Sequence, residues 1–330
     1  MAGLLKWSKS ALKRAPSPPR QCPNAKFTLI NPLEKVEEEF FGIERYYPAR
    51  IGDVLSSRYQ IVGNLRTLLT RRGRDRLTED LLRVNLQRLL LALDFLHTDR
   101  KLIHTDIKSD NILHLIEDTS ILAAFEEAEI SEPSQRKKAA DREIYVSRTL
   151  DMPKSFGEPV LCDFGNAVYG TKINDDDAYP DVYRCPEVML QLLWSYSADI
   201  WNVGAMIWDI FEGKHLFNGQ DPKRGRYTTR AHLTELISII GPPPLELVKR
   251  GKRSAEWFDE YGKWLEPDEN EPERLPLLLS SSLEAAEGNL ERGDKELFIN
   301  FIKSMLQWEP EKRKTARELL DDPWLIKSQQ

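Results

Sequence analysis

The stretch that most constrains this chain is residues 102–113, Leu-Ile-His-Thr-Asp-Ile-Lys-Ser-Asp-Asn-Ile-Leu. Leu102 and Ile103 before it, and Ile112 and Leu113 after it, bracket a polar run, the pattern of a short loop pinned between two buried segments. Inside the loop, Asp106, Lys108 and Asn111 follow one another within six positions. Side chains of these types held close together can orient a hydroxyl, neutralise a phosphate and ligate a cation. A second stretch, residues 160–165, Val-Leu-Cys-Asp-Phe-Gly, reads as a short apolar strand ending in an acidic turn. There Asp163 can hold Mg²⁺ and Gly165 permits a sharp turn after it.

With Tyr183-Arg-Cys-Pro-Glu187, Asp199-Ile-Trp-Asn-Val-Gly204 and Arg313 following in order, these stretches resemble the catalytic loop and magnesium loop of eukaryotic protein kinases. The resemblance implies an α+β, protein-kinase-like fold, mainly the α-helical large lobe. It implies that Asp106 orients the substrate hydroxyl and accepts its proton. Lys108 then steadies the γ-phosphate of ATP, and Asn111 and Asp163 hold Mg²⁺. Structural support falls to His104, Phe164, Gly165, Glu187, Asp199 and Arg313. Among these, Asp199 accepts hydrogen bonds from the catalytic-loop backbone, and Glu187 with Arg313 forms a buried ion pair that fixes the end of the activation segment.

The small lobe of such a fold is truncated in this sequence. Arg58 to Gly63 reads as a first β-strand, but Asn64-Leu65-Arg66-Thr67 follows it, with no GxGxxG nearby and no Val-Ala-Ile-Lys-like strand. Only 45 residues separate Tyr59 from His104, too few for a five-stranded lobe. Residues 1–45 read as a basic then acidic tail; for its basic part, 1–33, a solvated arm is favoured over a mitochondrial presequence. Residues 46–70 read as the remnant of the small lobe, 71–326 as the large lobe and 327–330 as a tail. Insertions are expected at 114–159 and 242–293.

Helical spacing of Leu82, Leu86, Leu89, Leu90, Leu93 and Leu96 predicts a helix over 79–97 capped by Thr78. A second, apolar nearly all round, is predicted over 198–212 with Ser197 as its cap. Shorter helices are expected at 119–130, 232–240, 294–308 and 314–320. Residues 131–159 read as an extended surface segment, and 218–230 as a polar, mildly basic loop. The 245–293 segment is expected to be irregular, packed by Trp257, Phe258, Tyr261 and Trp264. Thr105 stands where most kinases place an arginine that grips an activation-loop phosphate, and between Asp163 and Glu187 only Thr171 carries a hydroxyl besides tyrosines. The loop is therefore expected to fold without a phosphorylation switch.

Among kinases, the chain is most similar to the SR-protein kinases, particularly fungal ones. The likeness rests on Tyr47-Pro-Ala-Arg-Ile-Gly-Asp53, His104-Thr-Asp-Ile-Lys108, Pro180-Asp-Val-Tyr-Arg184, Glu212-Gly-Lys-His-Leu-Phe217 and Met305-Leu-Gln-Trp308. It implies a serine/threonine kinase with ATP and Mg²⁺ as cofactors. Its partner would be a protein substrate such as an Arg/Ser-rich splicing factor, docked through basic residues on an acidic groove. Against that docking mode, Lys223, Arg224, Arg226 and Arg230 stand with one Asp between 221 and 230. The alternative is a non-catalytic, pseudokinase-like scaffold built on the large lobe.

Composition agrees with a globular protein: 41% hydrophobic and 30% charged residues at a net charge of −6, which argues against direct nucleic-acid binding. No apolar run has the length of a membrane span. Cys22, Cys162 and Cys185 are scattered and the five histidines show no ligand spacing, so neither a disulfide framework nor a structural zinc is expected. A monomer in the cytoplasm or nucleus fits this usage.

Overall fold

The computed structural model describes residues 61–64, 76–118, 120–134, 136–138, 143–145, 151 and 155–327. The tail over 1–45 and most of the segment over 46–70 lie outside these residues, as do 328–330. The chain forms two compact units, Met1–Val62 with Leu115–Phe156, and Gly63–His114 with Gly157–Gln330.

Helices dominate the second unit. Helix α1 (Glu79–Phe95) buries Leu82, Leu86, Leu89, Leu90 and Leu93 along one side. Thr78 sits at its N-cap with extended backbone but makes no side-chain cap bond. The first turn is held instead by Glu79, which pairs with Arg83 and accepts from Trp324 Nε1 at 3.2 Å. The α-helix stops at Phe95, short of the expected 97. A wider π-helical turn, Leu96–Arg100, completes it and ends at Lys101 in the left-handed region, φ 56°. In that turn His97 Nε2 lies 2.9 Å from Asp199 Oδ2.

Strand β1 (Ile61–Asn64) precedes α1, and two short strands frame the polar loop, β2 (Leu102–Ile103) before it and β3 (Ile112–Ile116) after it. In the first unit, helix α2 (Ser120–Ser131) buries Ile121, and β4 (Arg136–Lys138) pairs antiparallel with β5 (Glu143–Tyr145). The segment expected to stay extended to 159 becomes a strand earlier, in β6 (Phe156–Leu161), a neighbour of β3. A short β7 (Val168–Tyr169) pairs antiparallel with β2. Helix α3 (Pro186–Met189) starts at a proline, whose missing N–H is no loss in a first turn.

At the centre runs α4 (Ser197–Glu212), with thirteen of its sixteen residues buried. Ser197 is the first residue of this helix, not its cap; the N-cap position belongs to Tyr196, without a side-chain bond. After α4 comes a hairpin of β8 (Gln220–Asp221) and β9 (Arg226–Tyr227), where a loop was expected. Helix α5 (Thr229–Ile240) begins three residues before the expected His232, because Thr228 Oγ1 accepts from Ala231 N and caps it. Gly241, at φ 81°, ends it.

The segment over 242–293 is more ordered than its composition implies. It contains α6 (Leu245–Arg250), a 3₁₀ turn at Ser254–Glu256, and α7 (Leu283–Ala286). Trp257, Phe258 and Trp264 are buried there, whereas Tyr261 is 77% exposed. Asp259 Oδ1 accepts from Tyr261 N and Lys263 N, and that tight turn carries the tyrosine ring outward. Helices α8 (Arg292–Met305), α9 (Ala316–Leu320) and α10 (Pro323–Ile326) close the unit. A capping box of Thr315 and Glu318 starts α9. Trp324, fully buried, lies between Phe298 and Phe301 at ring distances of 5.1 and 5.0 Å.

Candidate active site

The polar loop leaves β2 at His104 and reaches β3 at Ile112, and nearly all of it is buried. What permits this is a carboxylate from the central helix. Asp199, itself fully buried, accepts from His104 N at 2.8 Å on Oδ2 and from Thr105 N at 2.9 Å on Oδ1. His97 adds a third contact to Oδ2. A buried charge needs such donors, since an unpaired one destabilises the fold by several kcal/mol. Thr105 adopts φ 70°, an uncommon conformation for a β-branched residue, and Asp199 with Asn166 O, on Thr105 Oγ1 at 3.0 Å, holds it there.

Asp106 is the centre of the cluster. Its Oδ2 accepts from Lys108 Nζ at 2.8 Å and from Asn111 Nδ2 at 3.0 Å. The Asn111 amide also donates to Asp106 O at 2.9 Å. His104 fixes the loop from the other side: Nε2 donates to Cys162 O at 2.9 Å, which leaves Nδ1 to accept from Asp106 N at 3.3 Å. Asp106 Oδ1 is buried and has no hydrogen-bond partner among the described residues. Asp106 itself lines a cavity of about 580 Å³ whose walls include Lys108, Asn166, Asp176, Asp177 and Arg184. An acceptor left open in this way is suited to receive a hydroxyl proton.

Asp163 comes to the cluster through the backbone. Cys162 N donates to Asn111 O at 2.9 Å, so the residue after it emerges beside Asn111. The left-handed residue at this turn is Asp163, φ 65°, rather than Gly165. At Gly165 a Cβ would meet only Asp163 Oδ1, at 3.4 Å, an ordinary contact, so neither backbone nor space demands glycine there. Phe164 is 45% exposed and meets the His104 ring edge-on at 5.0 Å. Burial, and then the Asp163 charge, push the Cys162 thiol pKa up, so it stays protonated beside the site.

Below the cavity, Arg313 Nη1 and Nη2 each meet a Glu187 oxygen at 2.6 Å, with both side chains fully buried. Arg313 also donates to Gln307 O and Ser197 O and lies over the Trp201 ring. Burial alone would lower its pKa; Glu187 outweighs that and raises it.

Asp106, Lys108, Asn111 and Asp163 thus gather at one place, with His104, Phe164 and Asp199 around them. Sequence reasoning passed over His97, whose one signal was a polar side chain at the end of an apolar helical stripe. It also passed over Arg184, which pairs with Asp181 at 3.2 Å and Asp177 at 3.5 Å on the cavity wall. A larger hollow of about 700 Å³ at the start of α1, lined by Arg76, Glu79, Glu212 and Asn289, holds none of the candidate residues.

Residues 54–325 match the family model of the protein kinase domain. A serine/threonine protein kinase of Aspergillus fumigatus is 42% identical over 253 residues, which is 76% of this chain and 59% of the relative. The serine/threonine-protein kinase SRPK of Physarum polycephalum is 28% identical over 72% of this chain and 59% of its own length. The human dual specificity protein kinase CLK2 is 30% identical over 72% of this chain and 41% of its own. The chain therefore spans less than two thirds of these relatives.

Proposed function

Because the chain belongs to the protein kinase domain family, in its SRPK- and CLK-like branch, we propose that it transfers phosphate from ATP to serine or threonine hydroxyls of a protein. The observation that carries this reading is Asp106 Oδ1, a buried acceptor with no partner among the described residues, on a side chain that Lys108 holds and that lines a cavity. In this assignment residues 71–326 are the large lobe, with insertions at 114–159 and 242–293, and 46–70 are what remains of the small lobe.

Protein kinases use ATP and Mg²⁺, which supply the phosphoryl group and the cation that neutralises its developing charge. The residues present fit them. Asn111 turns its amide nitrogen to Asp106 and keeps Oδ1 as a ligand atom, and among the described residues the Asp163 carboxylate receives only a long bond from Gly165 N, 3.4 Å. Two hard oxygen ligands suit Mg²⁺, which takes its remaining ligands from water and phosphate. Asp106 Oδ1 accepts the proton of the incoming hydroxyl. Lys108 on Oδ2 holds the carboxylate in place and brings a positive charge to the phosphate side. Asp199 keeps the loop carrying all three side chains from shifting. We assign the acceptor to Arg/Ser-rich proteins, as the SR-protein-kinase likeness implies, and the chain to the cytoplasm or nucleus. Among the described residues no helix is long and apolar enough to cross a membrane.

A second reading, a non-catalytic scaffold, is favoured by one observation: no glycine-rich phosphate loop and no lysine-bearing strand stand between Tyr59 and His104. A thermal-shift titration of the full chain with Mg²⁺·ATP, followed by a phosphotransfer assay, separates the two. The kinase reading expects a saturable shift, and Asp106→Asn should keep the shift while transfer falls roughly 10²- to 10⁴-fold. No shift at millimolar ATP would overturn it in favour of the scaffold.

A further inference from the structure

The cavity that Asp106 lines is larger than an acceptor serine needs. At about 580 Å³ it falls within the roughly 300–1,000 Å³ of pockets that take a drug-sized ligand. A serine side chain fills a small part of that volume, and the remainder is open to a neighbouring residue. The charged residues lining it are Asp106, Lys108, Asp176, Asp177 and Arg184. Lys108 is bound to Asp106. Arg184 Nη2 meets Asp177 at 3.5 Å and Asp181 at 3.2 Å, and its guanidinium lies 5.7 Å from the centre of the Tyr227 ring on the β8–β9 hairpin. Three carboxylates thus stand against two cations, and each cation already has its partner. Asp176 is the carboxylate left over. It makes no ion pair with a described cation, whereas Asp175 before it pairs with Lys252 at 2.9 Å.

The backbone fixes where that charge stands. Trp194 Nε1 donates to Asp176 O at 3.0 Å and Trp194 N donates to Asn174 O at 3.0 Å, so one buried tryptophan holds the segment at two points. Tyr179, which also lines the cavity, meets the Trp194 ring edge-on at 5.5 Å. Asp176 itself is exposed, and its carboxylate takes part in none of these bonds. A carboxylate with local donors is closed to a ligand by comparison: the fully buried Asp221 accepts from Lys223 N, Arg224 N, Thr228 Oγ1 and Arg230 Nε inside the hairpin turn. The unpartnered acceptor of Asp106 and the uncommitted carboxylate of Asp176 therefore belong to one cavity.

Resting on the kinase reading above, we propose that Asp176 is a specificity residue: it binds the guanidinium of an arginine next to the acceptor serine while the serine hydroxyl lies at Asp106. Arginine fits because its planar fork gives two N–H bonds to one carboxylate, a geometry that the ammonium of lysine lacks. The fixed backbone reduces the ordering that binding would otherwise require. Asp176 gives the Arg/Ser preference a source at the acceptor itself, in addition to the docking groove that the family likeness implies.

The test uses the full chain and four fluorescein-labelled dodecapeptides around one serine, flanked on both sides by Arg, Lys, Ala or Glu, read by anisotropy at low salt. The Arg peptide should bind about fivefold tighter than the Ala peptide, the upper range for an ion pair that solvent reaches, with the gain fading as salt rises. The Lys peptide should fall between them, and the Glu peptide should bind weakest. Asp176→Asn should cut the Arg gain to below about twofold, and Asp176→Lys should turn it into a preference for Glu; either variant suffices should the other melt early. Asp175→Asn removes an equal charge from a residue outside the cavity and should keep the gain. Equal binding of the Arg and Ala peptides overturns the proposal, as does a Lys peptide that binds as tightly as the Arg one. So does a gain that survives the Asp176 variants, which would seat the arginine on another acidic surface such as the exposed carboxylates of 266–273. A gain lost equally in Asp175→Asn also overturns it, because the general field of the acidic run would then be the cause. Anisotropy needs no phosphotransfer, and the Mg²⁺·ATP shift depends on Asn111 and Asp163 and not on Asp176, so failure of the kinase reading shows separately.

Discussion

His232 lies fully buried under the hairpin, with its Nδ1 3.0 Å from Tyr227 OH and its ring 5.4 Å from that of Phe217. Burial, and then the Arg184 charge, depress its pKa to about 3 from the usual 6.5. The unfolded chain therefore binds a proton at this residue, between those two values, that the folded chain refuses. Its stabilising contribution is complete above pH 6.5 and is lost progressively as pH falls towards 3. Denaturant midpoints should drop between pH 7 and pH 5 in the wild type. In His232→Gln, which keeps polar atoms but cannot titrate, the midpoint should be lower at pH 7 and its slope over that window flatter. Equal slopes would show that His232 is protonated in the folded state. The Glu187–Arg313 pair is a different case at the same scale. It is bidentate and fully desolvated, so loss of one partner strands a charge, at a cost of roughly 3–5 kcal/mol.

Among the elements, α4 shows how closely packing is set. A Cβ on Gly204 would lie 2.9 Å from Leu306 Cδ2 and 3.1 Å from both Leu306 Cγ and Met305 Cβ. In a free helix, Gly→Ala stabilises by about 1 kcal/mol. Here Leu306 and Met305 are both buried, so overpacking of about 1–3 kcal/mol wins. Gly204→Ala should therefore destabilise by up to about 2 kcal/mol in urea unfolding; a gain would mean that the end of α8 yields. Helices such as α1 and α4 were legible because burial imposes a hydrophobic period on the residues themselves. The hairpin was not: its inward side chain is Asp221, and a buried carboxylate satisfied by local donors looks like a loop residue in sequence. The start of α5 was hidden for a related reason, since Thr228, Thr229 and Arg230 are polar and only the Thr228 cap marks the boundary. Tyr261 was misread as an anchor because aromatic content alone does not distinguish a ring turned into the core from one carried out by a tight turn.

At the scale of the whole molecule, the order of the motifs told more than any periodicity. Residues far apart in sequence, Asp106 with Asp163 and Asp199, and Glu187 with Arg313, were expected together from the kinase resemblance, and the structure gathers them. The details that tie them could not be read in advance. They include the His97 contact to Asp199, the unpartnered Oδ1 of Asp106 and the Arg184 bridge to the hairpin, which depend on backbone paths that spacing does not encode. The amides of His104 and Thr105 end on Asp199, a side chain anchored in the buried central helix, so no local fraying of the loop can release them. In deuterated solvent these two protons should be among the last to leave, at rates that track the opening of the whole unit as denaturant is raised. The amide of Asp106, held only by a neighbouring ring nitrogen, should escape sooner. Two adjacent residues would then keep different clocks.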